Sequence, residues 1–246
     1  SIVIVKPVRG VIMEVLIVQH VECEGPGYLK DFLYREQIDF EIVGMYERDK
    51  LPDVDDFDAL IVLGGPMNVY EENRYPYLTS LNTTIKNFTT QGGHYLGFCL
   101  GGQLLAKALG ARVMKNPTRE IGDFEIYLTG EGVDDPLFTG FEYIFPALEW
   151  HGDTFMIPEG GIKLAGSKLC PNQAFRFKNA YGLQFHLEAT TEMLVGWAGI
   201  YRDELEGEGI DAGVMLREIK KKSGIYSQSS NQLFTNFFEL VKKNVG

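Results

Sequence analysis

Four short apolar runs, Val15 to Val18, Glu41 to Val43, Ala59 to Leu63 and Tyr95 to Phe98, are separated by stretches long enough to hold helices. That alternation predicts βαβ units. Leu29, Phe32, Leu33 and Glu36 suit an amphipathic first helix, and Tyr77 to Phe88 suits another beginning after Pro76. Leu104, Leu105, Ala108 and Leu109 share one face of a further helix that Gly110 closes. From Glu125 to Glu188 the pattern becomes strands without long helices, with turns at Gly130, Gly132, Pro158, Gly160, Gly161, Pro171 and Asn179. Helical periodicity returns from about Thr190 to Val245, where Leu233, Phe237, Leu240 and Val241 form a stripe suited to a core. The expectation is an α/β fold: a mainly parallel, doubly wound sheet with an antiparallel extension.

Composition narrows the function classes. A chain of 246 residues can bury a sizeable core without metal or disulfide. A formal net charge of -11 argues against nucleic acid as a partner, because phosphate recognition needs clustered Lys and Arg. The basic run Lys220 to Lys222 reads as a solvated helix face. Three cysteines without CxxC spacing suggest neither a disulfide framework nor a zinc site, and point to a reducing cytoplasm. Lys6 and Arg9 interrupt the apolar start, which excludes a signal peptide or membrane span as its reading. Met13 is read as the native start, with residues 1–12 an extension or remnant and residues 13–246 one domain.

Three stretches carry chemistry. In GFCLGGQ, Gly97 to Gln103, a cysteine stands where an apolar strand gives way to a helix. Gly97, Cys99 and Gly101 match the spacing of a nucleophile elbow, whose small flanks permit a strained turn. Helix amides and dipole beyond it favour thiolate. A free cysteine is as often a small buried hydrophobe, so the elbow alone leaves both readings open. GLQFHLE, Gly182 to Glu188, supplies a histidine and a carboxylate two apart on an extended strand, the pairing by which an acceptor orients a general base. LGGP, Leu63 to Pro66, follows a central strand; the backbone N–H groups of Gly65 and Leu100 there could hold an oxyanion. Elsewhere, His151 reads as a loop histidine bonded to Asp153, His20 as a residue lining the same cleft, and His94 as inert ahead of its strand. GIKLAGSK lacks the residue order of a phosphate loop.

LGGPMNVYEEN, GFCLGGQ and GLQFHLE, in this order, resemble the three signature regions of class I, triad-type glutamine amidotransferases. YPYL, WHGDTF and NQAF, at Tyr75, Trp150 and Asn172, are similar to the glutaminase domain of GMP synthase. The resemblance implies a flavodoxin-like amidotransferase fold, with Cys99 as nucleophile, His186 as base and Glu188 as orienting carboxylate. It further implies oxyanion donors at Gly65 and Leu100, and a glutamine pocket near Gln103, Asn172, Gln173, Ala174 and Phe175. Leu187 departs from the proline that many relatives carry between His and Glu. The implied reaction is hydrolysis of the glutamine γ-amide through a thioester, with no metal or organic cofactor, releasing ammonia for a separate synthetase subunit. Two alternatives stand beside it: a self-sufficient γ-glutamyl peptide hydrolase using the same triad, and a catalytically silent regulatory or binding module.

Overall fold

The computed structural model describes residues 13–47 and 50–245. The reading of residues 1–12 lies outside the described residues. Among the described residues nine strands form one sheet: β1 (Glu14–Gln19), β2 (Asp39–Gly44), β3 (Ala59–Val62), β4 (His94–Phe98), β5 (Val113–Leu128), β6 (Ile144–Phe155), β7 (Ile162–Gly166), β8 (Ala174–Phe177) and β9 (Ala180–Leu183). Their order is β2-β1-β3-β4-β9-β8-β7-β5-β6. The first five in that order are parallel, and β8, β7, β5 and β6 continue antiparallel. The doubly wound sheet with an antiparallel extension is therefore present, but the extension begins at Val113, twelve residues before the predicted Glu125. Polar Lys115 to Arg119, where the β5–β6 register breaks, mask the strand's start from a hydrophobic reading.

Alternation along the parallel strands divides the core. Val15, Ile17, Ala59 and Ile61 face one side; Leu16, Val18, Leu60 and Val62 face the other. The first face is covered by α1 (Gly27–Glu36) and α8 (Ser223–Val245), through Leu29, Phe32, Leu33, Leu233, Phe234, Phe237 and Phe238. The second is covered by α2 (Tyr77–Thr90) and α3 (Leu100–Ala108). The one-turn α4 (Gly130–Val133) packs beside β7. Three further helices, α5 (Thr191–Ile200), α6 (Arg202–Gly207) and α7 (Ala212–Lys221), pack beside β5 and β6 through Leu194, Trp197, Leu205 and Ile219. Lys222 ends that run in an ion pair with Asp123, so one cation of the basic run is used within the fold. Among the described residues no helix is long and apolar enough to cross a membrane.

Candidate active site

Cys99 sits between the end of β4 and the first residue of α3, with φ 48° and ψ −105°. A left-handed φ is strained for a residue with a Cβ, and such strain persists only where the surroundings impose it. Here the neighbouring glycines impose it. A Cβ on Gly97 would stand 2.4 Å from the backbone of Gly101, and one on Gly101 would stand 2.1 Å from the carbonyl oxygen of Val62. The small residues thus let α3 press against β3 and β4, and the turn has no room to relax. Gly101→Ala is expected to lower thermal stability by about 1–3 kcal/mol, the usual cost of overpacking, read as a fall in Tm; an unchanged Tm would refute the close-contact account. The Cys99 backbone N–H donates to Leu183 O at 2.8 Å, tying the elbow to β9.

His186 and Glu188 lie beyond the end of β9, not on a regular strand. The backbone N–H of His186 donates to Leu148 O at 2.7 Å in an isolated bridge with β6. Glu188 is fixed from the other side, where its carbonyl accepts from Tyr28 N–H at 2.8 Å. Gly27, at φ +43°, makes that approach possible, since a Cβ there would sit 2.2 Å from the same carbonyl oxygen. Leu187 is buried in the core between α1 and α8, so its side chain takes the inward position while both neighbours face the cleft.

The side chains converge. His186 Nδ1 and Glu188 Oε1 are 2.7 Å apart, and both residues are almost wholly buried. Among the described residues the other ring nitrogen, Nε2, has no oxygen or nitrogen partner, which leaves it to the Cys99 thiol. The point that a Cβ on Gly64 would occupy is 3.0 Å from His186 Cε1, 3.1 Å from Glu24 Oε2 and 3.6 Å from Cys99 Cβ. Burial opposes charge on His186, but the carboxylate of Glu188 and the nearby Cys99 outweigh it and hold the imidazole well above its ordinary value. Burial pushes the Cys99 thiol up, and His186 offsets part of that. Cys99 Sγ also lies 3.7 Å from Trp150 O and accepts from Gln184 Nε2 at 3.5 Å.

These groups open on a cavity of about 240 Å³ whose wall includes Gly65, Cys99, Gln103, Asp153, His186 and Trp197. That is close to the lower end, roughly 300 Å³, of small-molecule sites. Gln103 Nε2 donates to Gln184 Oε1 at 3.2 Å and Asp153 O at 3.3 Å. Gly65 packs close to Leu100: a Cβ on it would be 3.2 Å from Leu100 Cδ2. The segment Asn172 to Phe175 does not reach the cavity wall. Asn172 bonds Phe155 O, Gln173 bonds Glu120, Ala174 is buried, and Phe175 meets Phe155 edge-on over the space left by Gly182. The pocket that the family resemblance implied at this segment is not formed by it, and Ala174 and Phe175 are interior residues of β8.

His151 is on β6, not in a loop. Its Nδ1 lies 2.8 Å from Asp153 O, and its Nε2 lies 3.0 Å from Glu120 Oε2 and 3.3 Å from Glu149 Oε2. Burial raises the Glu149 carboxyl strongly, helped by the charge of Glu120, and the His151 ring stands between the two carboxyl groups at the cavity wall. Cys170 is close enough to complete a three-donor group with Glu120 and His151. His20 is buried behind Gly65, 2.9 Å from Tyr77 OH, and burial lowers it to about 3, which keeps it neutral. His94 is the first residue of β4 and is buried.

The sequence reading missed the far wall. Glu24, Arg119, Trp150, Tyr201 and Glu204 line the cavity alongside the predicted residues. Arg119 pairs with Glu204 and Glu208, and Trp150 Nε1 donates to Glu204 Oε2 at 2.9 Å. Glu24 stands in the loop after β1, at the carboxyl end of a parallel strand where ligands gather in such sheets, so its position was open to inference. Tyr201 and Glu204 come from helices whose arrival over the site no local pattern announces.

A family model described as glutamine amidotransferase class-I matches residues 28–193. The glutamine amidotransferase-like protein YfeJ of Salmonella typhimurium is 36% identical over 149 residues, 59% of this chain and 62% of YfeJ. GMP synthase [glutamine-hydrolyzing] of Porphyromonas gingivalis is 31% identical over 73% of this chain but 36% of its own length. The chain thus spans less than two thirds of these curated relatives. A crystal structure of a glutamine amidotransferase from Thermotoga maritima superposes with a TM-score of 0.85 at 30% identity, covering 92% of this chain and 97% of that one. One from Methylobacillus flagellatus gives 0.85 at 29%, covering 93% and 95%.

Proposed function

We propose that this chain, which belongs to the class I glutamine amidotransferase family, hydrolyses the γ-amide of glutamine and releases ammonia. The observation that carries the reading is the convergence of a strained, elbow-mounted Cys99 with the His186–Glu188 pair at one small cavity. In this reading the Cys99 thiolate attacks the γ-carbonyl carbon, and the oxyanion takes hydrogen bonds from the N–H groups of Gly65 and Leu100. The C–N bond breaks as His186 delivers a proton to the departing nitrogen. Water activated by His186 then cleaves the thioester, releasing glutamate. Glu188 fixes the imidazole through Nδ1, leaving Nε2 for both transfers. Gln103, on the cavity wall, contacts the substrate. No step calls for a metal or organic cofactor, and a separate synthetase would take the ammonia.

One observation favours a second reading, a self-contained γ-glutamyl amide hydrolase. Trp197, Tyr201 and Glu204 roof the cavity from the chain's own helices, and Arg119 fastens that roof by ion pairs. The two readings separate when purified protein is given glutamine and γ-glutamyl dipeptides under identical conditions, with ammonia and amine release measured separately. Glutamine as the better substrate, with turnover stimulated by a synthetase, supports the amidotransferase. Dipeptides cleaved far faster, with no stimulation by cell extract, support the hydrolase. No turnover of any γ-glutamyl amide would leave the silent module.

Glu188→Gln is expected to retain more activity than removal of His186, because the carboxylate acts on the base and not on substrate. It should also move the pH profile. The negative charge of Glu188 raises His186, so its loss lowers the imidazole. The alkaline limb of kcat/KM, where the imidazolium proton is lost, should therefore shift toward acid. A limb that stays in place would remove Glu188 from this role.

A further inference from the structure

Glu24 and Tyr201 both fall outside residues 28–193, the part of the chain that matches the family, yet together they wall the cavity beside Cys99 and His186. Glu24 is 7% exposed. Its Oε1 accepts from Tyr201 OH at 2.6 Å, which fixes the carboxyl group and turns Oε2 toward His186 and Cys99. Trp197 lies edge-on to the His186 ring, 5.2 Å between centroids, and Trp150 meets Tyr201 at a tilt with centroids 5.8 Å apart, so the carboxyl is framed by aromatic rings. An acid at that place is adjacent to the group that protonates the leaving nitrogen.

We propose that Glu24 selects the leaving group: its Oε2 accepts a hydrogen bond from the departing nitrogen, and its charge rejects leaving amines that carry a carboxylate. This rests on the amide-hydrolysis reading and sharpens it. Favoured leaving groups are ammonia and small amines without an acid; amino acids, the leaving groups of γ-glutamyl dipeptides, are disfavoured by Glu24, while the charge of Glu204 is taken up by its ion pair with Arg119. The proton count is unchanged. His186 gives its proton to nitrogen as the C–N bond breaks, and Glu24 holds the resulting amine by its N–H without altering the bonds made. The groups facing Glu24 are Tyr201, His186, Glu188, Glu204 and Cys99. Burial raises its carboxyl, the Tyr201 hydroxyl and His186 pull it back toward the charged form, and the charges of Glu188 and Glu204 add to the rise, so the net direction is up. Rejection of acidic leaving groups should therefore strengthen as pH rises and the carboxyl ionises.

The test uses the whole chain with three amides: glutamine, γ-glutamylpropylamide and γ-glutamylglycine, the last two alike in size and differing by one carboxylate. The native protein should prefer the propylamide over the glycine conjugate by about tenfold or more in kcat/KM, since facing like charges cost several kcal/mol. Glu24→Gln should bring that ratio near unity while slowing glutamine, and Tyr201→Phe should narrow the ratio less. Labelling of Cys99 by a glutamine-derived electrophile in each variant reports that the nucleophile remains assembled. A ratio near one in the native protein, or one unchanged by Glu24→Gln, overturns the assignment while leaving amide hydrolysis standing. Failure of the native protein to cleave any of the three would overturn the amide-hydrolysis reading itself.

Discussion

Cys99→Ala is expected to remove glutamine turnover, a loss on the order of 10⁶-fold, the size that follows removal of a triad nucleophile. A glutamine-derived electrophile should label Cys99 alone. The other two thiols serve as internal controls, each for a physical reason. Cys170 is fully buried, lies 3.1 Å from Thr154 Oγ1 and is pushed up to about 11, so it presents almost no thiolate at neutral pH. Cys23 is half-buried and its thiol lies 3.6 Å from Tyr201 OH, a phenol and not a base. Cys23→Ala and Cys170→Ala should therefore leave most activity in place. Label that persists in Cys99→Ala, or turnover retained there, would refute the nucleophile assignment.

What could be read in advance follows from the range of the physics involved. The elbow is local: Gly97, Cys99 and Gly101 are within five residues, and the steric demand that makes them small acts between the end of β4 and the first turn of α3. Three parallel strands, β1, β3 and β4, were legible because burial on both faces writes a continuous apolar run, whereas the edge strand β2, with only Val43 buried, showed only as the short run Glu41 to Val43. The parallel β9 was legible only as part of a motif, since AYGL, Ala180–Leu183, lacks the branched aliphatic run that marks the equally short β3. The His186–Glu188 pairing was legible from spacing, although the backbone there bends and depends on single bonds to Leu148 and Tyr28. The substrate wall was not. The resemblance of NQAF implied a pocket at Asn172 to Phe175, but the side chains of Asn172 and Gln173 bond Phe155 O and Glu120 in the interior. The residues that do complete the cavity, Glu24, Trp150, Tyr201 and Glu204, are up to 180 positions apart in the chain, and only packing of α5 and α6 against β6 brings them together.

His186→Ala is expected to approach the effect of losing the thiol, because one imidazole serves three steps. It favours the thiolate, protonates the leaving nitrogen and activates the hydrolytic water. Groups that act as a unit are not additive, so Cys99→Ala with His186→Ala should be little worse than either alone. The pH response of the variant distinguishes a base from a structural prop. In the native protein the thiol is raised by burial and partly offset by His186. Without the imidazole that offset disappears, so the residual rate of electrophile labelling at Cys99 should climb only at higher pH than in the native protein. Trp197 packs edge-on against the ring, and the alanine variant leaves a gap beside it; a lower Tm is therefore expected from either account and decides nothing by itself. His186→Gln, which keeps more of the volume, should still lack turnover and show the same alkaline displacement of labelling. A labelling profile that coincides with the native one in both variants, with substantial turnover remaining, would mean that another group takes the proton and that His186 only fills the cleft.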